Sequence, residues 1–160
     1  SIALGQGTAI QVGHLVGAGE IKEVYNKCLK SVKIAFIFAF VTTSVVCLLR
    51  KPIMNIFTTN PDILEASLKI FPLMIILEMG RVFNIVIINS LHAAGDIKFP
   101  MFIGISFVFT IAVLFSYILG ISLGWGLAGI WIANAMDEWI RGLAMYFRWK
   151  SKKWQNKSFV

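Results

Sequence analysis

The sequence predicts an all-α, polytopic membrane helix bundle, and three observations carry that prediction. The 160 residues are 58% hydrophobic and 14% charged, with a mean hydropathy of +0.78, a balance foreign to soluble domains. Long, predominantly apolar runs recur, on the scale of the roughly 20 residues a helix needs to cross about 30 Å of hydrocarbon. Basic residues and turn formers stand between those runs. This length holds five crossings with short loops and leaves no room for a separate catalytic domain.

The first span, residues 1–16, is apolar but rich in small residues (Gly5, Gly7, Ala9, Gly13) and carries Gln6 and Gln11. That mixture suits a helix packed against other helices. Ser1 is followed by neither the basic start nor the cleavage pattern of a signal peptide, so the chain reads as a piece of something longer. Gly17-Ala18-Gly19 breaks the pattern, and Glu20 to Lys33 holds four lysines, at 22, 27, 30 and 33, as an amphipathic lead-in on the membrane surface.

The second span, 30–50, has no charge from Ile34 to Leu49; Arg50-Lys51-Pro52 is expected to close it. Thr59-Asn60-Pro61-Asp62 predicts a helix start, because Asn or Thr can cap free N–H groups and proline is pre-set for the first turn. The third span, 63–91, follows, and His92-Ala93-Ala94-Gly95-Asp96 forms a turn. The fourth covers 99–119, Gly120 to Gly126 turns the chain, and the fifth covers 127–147. Residues 148–160 form a basic, tryptophan-bearing tail suited to the membrane interface.

Eleven of the 15 Lys and Arg residues fall on the side of the tail, against Arg50 and Lys51 opposite, with Lys69 and Arg81 inside helices. The tail side is therefore read as cytoplasmic, in a bacterial inner (plasma) membrane. The net charge of +7 forms no basic stripe interleaved with aromatics, so no nucleic-acid partner is expected. The partner implied is the lipid bilayer. Cys28 and Cys47 have neither zinc nor disulfide spacing, and His14 and His92 stand alone at loop edges. No metal, no cofactor and no catalytic residue is expected, and an embedded enzyme would need a convergent constellation that is absent. Asn156-Lys157-Ser158 fits a glycosylation pattern and is read as a chance match on a cytoplasmic tail.

Charges inside spans are the most informative residues, because an ionised group in hydrocarbon costs at least a few kcal/mol. The third span carries Glu78 and Arg81 one turn apart, with Asn84 and Asn89 beyond; the fifth carries Asn134, Asp137, Glu138 and Arg141. Glu78, Asp137 and Glu138 are the cation-coupling candidates, and Arg81, Asn84, Arg141 and Asn134 their ion-pair or polar partners. The competing reading makes Glu78–Arg81 a static pair that packs the bundle, and gives Asp137 and Glu138 structural or gating roles. Pro72 and Gly80 are hinge candidates. Gly13-x-x-x-Gly17 and Gly120-x-x-x-Gly124 match a weak helix-packing spacing.

Five phrases carry a family resemblance: Val12 to Gly19 (VGHLVGAG), Leu77 to Asn84 (LEMGRVFN), Leu91 to Pro100 (LHAAGDIKFP), Gly124 to Ala133 (GWGLAGIWIA) and Asp137 to Gly142 (DEWIRG). In this order and on helices of this length, the chain resembles the last five helices of the second six-helix lobe of multidrug and toxic compound extrusion (MATE) transporters. Bacterial members often carry proline where this chain has Met79. The resemblance implies a partial six-helix lobe of a twelve-helix antiporter that exports small organic, often cationic compounds against an inward proton or sodium gradient. It also implies, as partners, an N-terminal lobe and a first helix of the second lobe that these residues do not contain. Glu78 is then the leading coupling carboxylate. The rival readings are a lipid-linked saccharide flippase of the same broad fold and a non-transporting membrane remnant.

Overall fold

A computed structural model describes residues 2–157, apart from the Asn156 side chain. Six helices follow one another: α1 (Ile2–Gly17), α2 (Ile21–Leu48), α3 (Arg50–Phe57), α4 (Pro61–Ala93), α5 (Lys98–Ser122) and α6 (Gly126–Lys150). No strand is present among the described residues. α2, α4 and α5 are each long and apolar enough to cross a membrane, while α1 has 16 residues and α6 carries several charges. The protein is a multi-pass membrane helix bundle.

α4 is the central post, with α1, α2 and α6 packed around it and α5 lying outermost against α6. The reason is legible along α2, whose buried residues Val24, Cys28, Val32, Ala35, Ala39 and Thr43 recur every three or four positions and so form one stripe. That stripe meets Val82, Val86, Ile87 and Leu91 of α4. Its opposite face leaves Ile34, Ile37, Phe38 and Val41 exposed, as expected of a surface turned to lipid.

Helix ends follow local turn chemistry. Asn60 Oδ1 accepts from Asp62 N at 2.9 Å and Pro61 opens α4, as the capping rule predicts. At the end of α4, Gly95 adopts φ 86°, its N–H donates to His92 O, and Asp96 N–H donates to Leu91 O at 2.9 Å. That pair of bonds with a left-handed glycine caps the orphan carbonyls of the last turn. Gly19, φ 75°, ends α1 in the same way, with Glu20 N–H donating to Leu15 O.

Local details add to the expectations. α2 ends at Leu48, just before Arg50-Lys51-Pro52, and a short further helix, α3, starts there with Pro52 in its first turn, where its missing N–H leaves no bond unmade. The lysine-bearing lead-in from Ile21 is continuous with the second span as the start of α2. The outer helix is not uniform: Val108–Val113 and Ser116–Ser122 are wound as π-helix, and Leu123 N–H donates back to Ile118 O.

The tail after 147 is built into the bundle rather than lying free at the interface. α6 continues to Lys150, and Lys152 in a left-handed turn, φ 57°, folds the chain back. Trp149 and Trp154 then stack, centroids 4.4 Å apart and planes at 10°, and both are fully buried. Trp154 Nε1 donates to Trp149 O at 2.9 Å. Beside them Asp96, 0% exposed, accepts from Arg148 Nε at 2.6 Å and Lys157 Nζ at 3.0 Å, while the Arg148 guanidinium sits over the Phe99 ring at 4.9 Å. One carboxylate thus ties the α4–α5 turn to the end of the chain. The glycosylation triplet ends at Ser158, outside the described residues, but its Lys157 is engaged in this clasp.

Burial alone would push the Asp96 carboxyl up, but the Arg148 and Lys157 hydrogen bonds and charges outweigh it and hold the group below the ordinary carboxylate value. A depressed folded-state value means stability that is present above the unfolded carboxyl value, about 3.9, and lost as pH falls through the lower folded one. Asp96→Asn is expected to destabilise the protein at pH 7 by about 3 kcal/mol, since it leaves Arg148 unpaired. Thermal unfolding in detergent checks this: the gap between Asp96→Asn and wild type should narrow below pH 4.

Candidate cation-coupling site between the fourth and sixth helices

Along α4, Glu78, Arg81 and Asn84 follow at intervals of three, so they share one side of that helix. On α6, Asp137, Glu138 and Arg141 do the same over one turn. The structure joins these two sequence clusters into one network. Arg81 is hydrogen-bonded to Glu78 through Nη1, and its Nε lies 3.7 Å from Glu138 Oε1. Asn84 Nδ2 donates to Glu138 Oε2 at 2.8 Å. Arg141 Nη2 reaches Asp137 Oδ2 at 2.6 Å and Glu138 Oε2 at 3.4 Å.

Close approach of the backbones makes this possible. A Cβ added to Gly80 would stand 2.7 Å from Trp139 Cδ1, and one added to Gly142 would stand 2.6 Å from Phe83 Cδ1. Each glycine is therefore a notch that receives an aromatic ring of the other helix, as small residues do in membrane bundles. Trp139 fills its notch and donates Nε1–H to Ile76 O at 2.9 Å. Gly80, a hinge candidate in the sequence, is here a packing notch, and α4 runs through both Gly80 and Pro72 as one helix. Phe36, Phe83 and Trp139 close over the same crossing with centroids 5.9 to 6.2 Å apart.

Burial differs among the charged side chains: Asp137 is 5% exposed, Glu138 16%, Glu78 and Arg141 17%, and Arg81 40%. Asn84 Oδ1, Asp137 Oδ1 and Arg141 Nε are buried without a hydrogen-bond partner. Two of those three orphan atoms are acceptors. With every group ionised, three carboxylates face two guanidinium groups, so the network carries one negative charge in excess. Arg141, not Arg81, is the better buried cation of the pair.

Asn134 does not join. It is exposed on α6, and its Nδ2 donates to Ile130 O of its own helix at 2.9 Å rather than to a side chain of the network. Asn89 likewise bonds its own helix at Ile85 O. Trp139 and Gly142, which seat the crossing, were not foreseen as partners; the only sequence signal was their place inside the phrase from Asp137 to Gly142. Among the described residues no trio of His, Cys, Asp and Glu side chains converges closely enough to hold a metal ion.

A profile of MatE proteins matches residues 1–118. The chain belongs to the MatE family. This MatE chain is 42% identical, over 158 residues and 99% of its length, to the uncharacterized transporter YisQ of Bacillus subtilis (strain 168). It spans 35% of that relative's length. No solved structure matches it significantly. The resemblance read from the five sequence phrases is therefore shown at the level of the family.

If the MatE helix crossing depends on the Gly80 notch, Gly80→Ala should displace the Trp139 indole and destabilise the bundle by about 1–3 kcal/mol, the range for overpacking a filled site. Adding Trp139→Ala should then make Gly80→Ala nearly neutral. A double-mutant cycle on thermal unfolding in detergent measures that coupling; additive effects would mean the two residues do not share the crossing.

Proposed function

We propose that these residues are the last five helices of the second lobe of a cation-coupled multidrug antiporter. The observation that carries this reading is the α4–α6 network: three carboxylates, two guanidinium groups and two unpartnered buried oxygens. A site one negative charge in excess, inside a bilayer, is stabilised by taking up one cation, either a proton or sodium.

Arg81 lies between Glu78 and Glu138 and can be shared by them. A proton or sodium ion on Glu78 removes the reason for its pairing with Arg81 and frees the guanidinium for Glu138 across the helix crossing. Loading at Glu78 is thereby felt by α6. In a complete transporter such a shift biases the alternating access of two lobes around a midplane cavity. Small organic, often cationic compounds leave against the gradient, across a plasma membrane, with the C-terminus cytoplasmic. Export of this kind needs no enzymatic step and no cofactor. A flippase for lipid-linked saccharide would need unneutralised cations at its midplane site for a pyrophosphate, whereas at the α4–α6 crossing carboxylates outnumber arginines.

Gradient-driven efflux of a fluorescent cationic dye, from vesicles holding the full-length transporter, tests the reading under imposed proton and sodium gradients separately. Glu78→Gln is expected to insert normally and to lower coupled efflux at least tenfold. Efflux that persists at the wild-type rate in Glu78→Gln would reduce Glu78 to a structural partner of Arg81.

A further inference from the structure

Between α1 and the start of α2 lies a cleft of about 250 Å³ whose polar wall is made by Thr8 and Gln11 on one helix and Lys27, Lys30 and Ser31 on the other. Lys27 and Lys30 have no ion pair and no hydrogen bond among the described residues. This sets them apart from the arginines of the α4–α6 network and of the Asp96 clasp, every one of which faces a carboxylate. The cleft therefore presents two uncompensated positive charges.

Its size, depth and continuation say what fits. At about 250 Å³ it falls below the roughly 300 Å³ at which drug-sized pockets begin, so it suits a small headgroup. α2 has 28 residues, about 42 Å of helix against about 30 Å of hydrocarbon, and its first turns must therefore reach the headgroup layer. Lys27 and Lys30 lie there or one turn below it, with stems long enough to hold their ammonium groups at the boundary. From the same cleft, Ile34, Ile37, Phe38 and Val41 run on as an exposed apolar stripe toward the middle of α2, at the spacing of one helix face.

We propose that this cleft holds an anionic phospholipid, its phosphate between Lys27 and Lys30 and its acyl chains along Ile34, Ile37, Phe38 and Val41. A cationic pocket followed by an apolar stripe in the direction of the bilayer midplane matches an amphiphile of that charge order. A free phosphate would use the first half of the site alone. Ser31 and Gln11 can donate to the headgroup oxygens. Gly7 opens the entrance: a Cβ built on it meets nothing within 4 Å, so the cleft exists because no side chain fills it.

The test is native mass spectrometry of the protein released from mixed vesicles of phosphatidylglycerol and phosphatidylcholine, with far-UV circular dichroism as the check on folding. Wild type should retain phosphatidylglycerol preferentially. Lys27→Gln and Lys30→Gln should each weaken that retention about fivefold. Gly7→Leu, which keeps both lysines but fills the entrance, should weaken it as well. Millimolar inorganic phosphate should displace nothing. Equal retention of the two lipids, retention unchanged in Gly7→Leu, or displacement by inorganic phosphate would each overturn the assignment; the last would make the site one for a free anion, and the second would place the lipid elsewhere on the lysine-bearing surface.

Discussion

An ionised side chain inside a bilayer has no water to fall back on, and this constraint organises the bundle. Three carboxylates and two arginines on α4 and α6 can be tolerated only if the helices approach closely enough to let the charges meet. Gly80 and Gly142 supply that approach by admitting Trp139 and Phe83. The aromatic rings then fill the volume beside the charges, and the contacts of Glu138 with Asn84 and Arg81 follow from the spacing thus set. Packing and electrostatics here meet at one place: Glu78–Arg81 and Asp137–Arg141 pair within their own helices, and the crossing adds the contacts of Glu138 with Arg81 and Asn84.

The same physics appears in a second, separate place with a different outcome. At the turn after α4, buried Asp96 is fully matched by Arg148 and Lys157, and the stacked Trp149 and Trp154 seal it. A carboxylate with two cations and no unpartnered oxygen is suited to holding elements together. The α4–α6 network, with unpartnered oxygens and a carboxylate in excess, is left with something to gain from a cation. The contrast separates a structural clasp from a site able to respond.

The clasp was poorly legible in the sequence. Arg148, Trp149 and Trp154 read as an interfacial tail because basic and aromatic residues after a last span commonly mark the headgroup layer. Nothing local announces that Asp96, 52 residues before Arg148, waits for them. By the same token Asn134 shares the helix face of Glu138, and the structure nevertheless leaves it exposed and bonded to its own backbone at Ile130 O. Gly80 was read as a hinge because a glycine's meaning depends on what faces it, and the facing residue lies on another helix.

What the sequence determined by itself is the class of the protein and its family: hydropathy, run length and turn chemistry are properties of neighbouring residues, and the capped start of α4 and the glycine-ended stops of α1 and α4 followed from them. It also marked which residues were costly in a membrane and so worth watching, Glu78, Arg81, Asp137, Glu138 and Arg141 among them. The tertiary structure alone decided which of these meet across the helix crossing. Pairing across 54 residues, as between Asn84 and Glu138, is set by how two helix surfaces interlock, and that depends on the shapes of both surfaces at once.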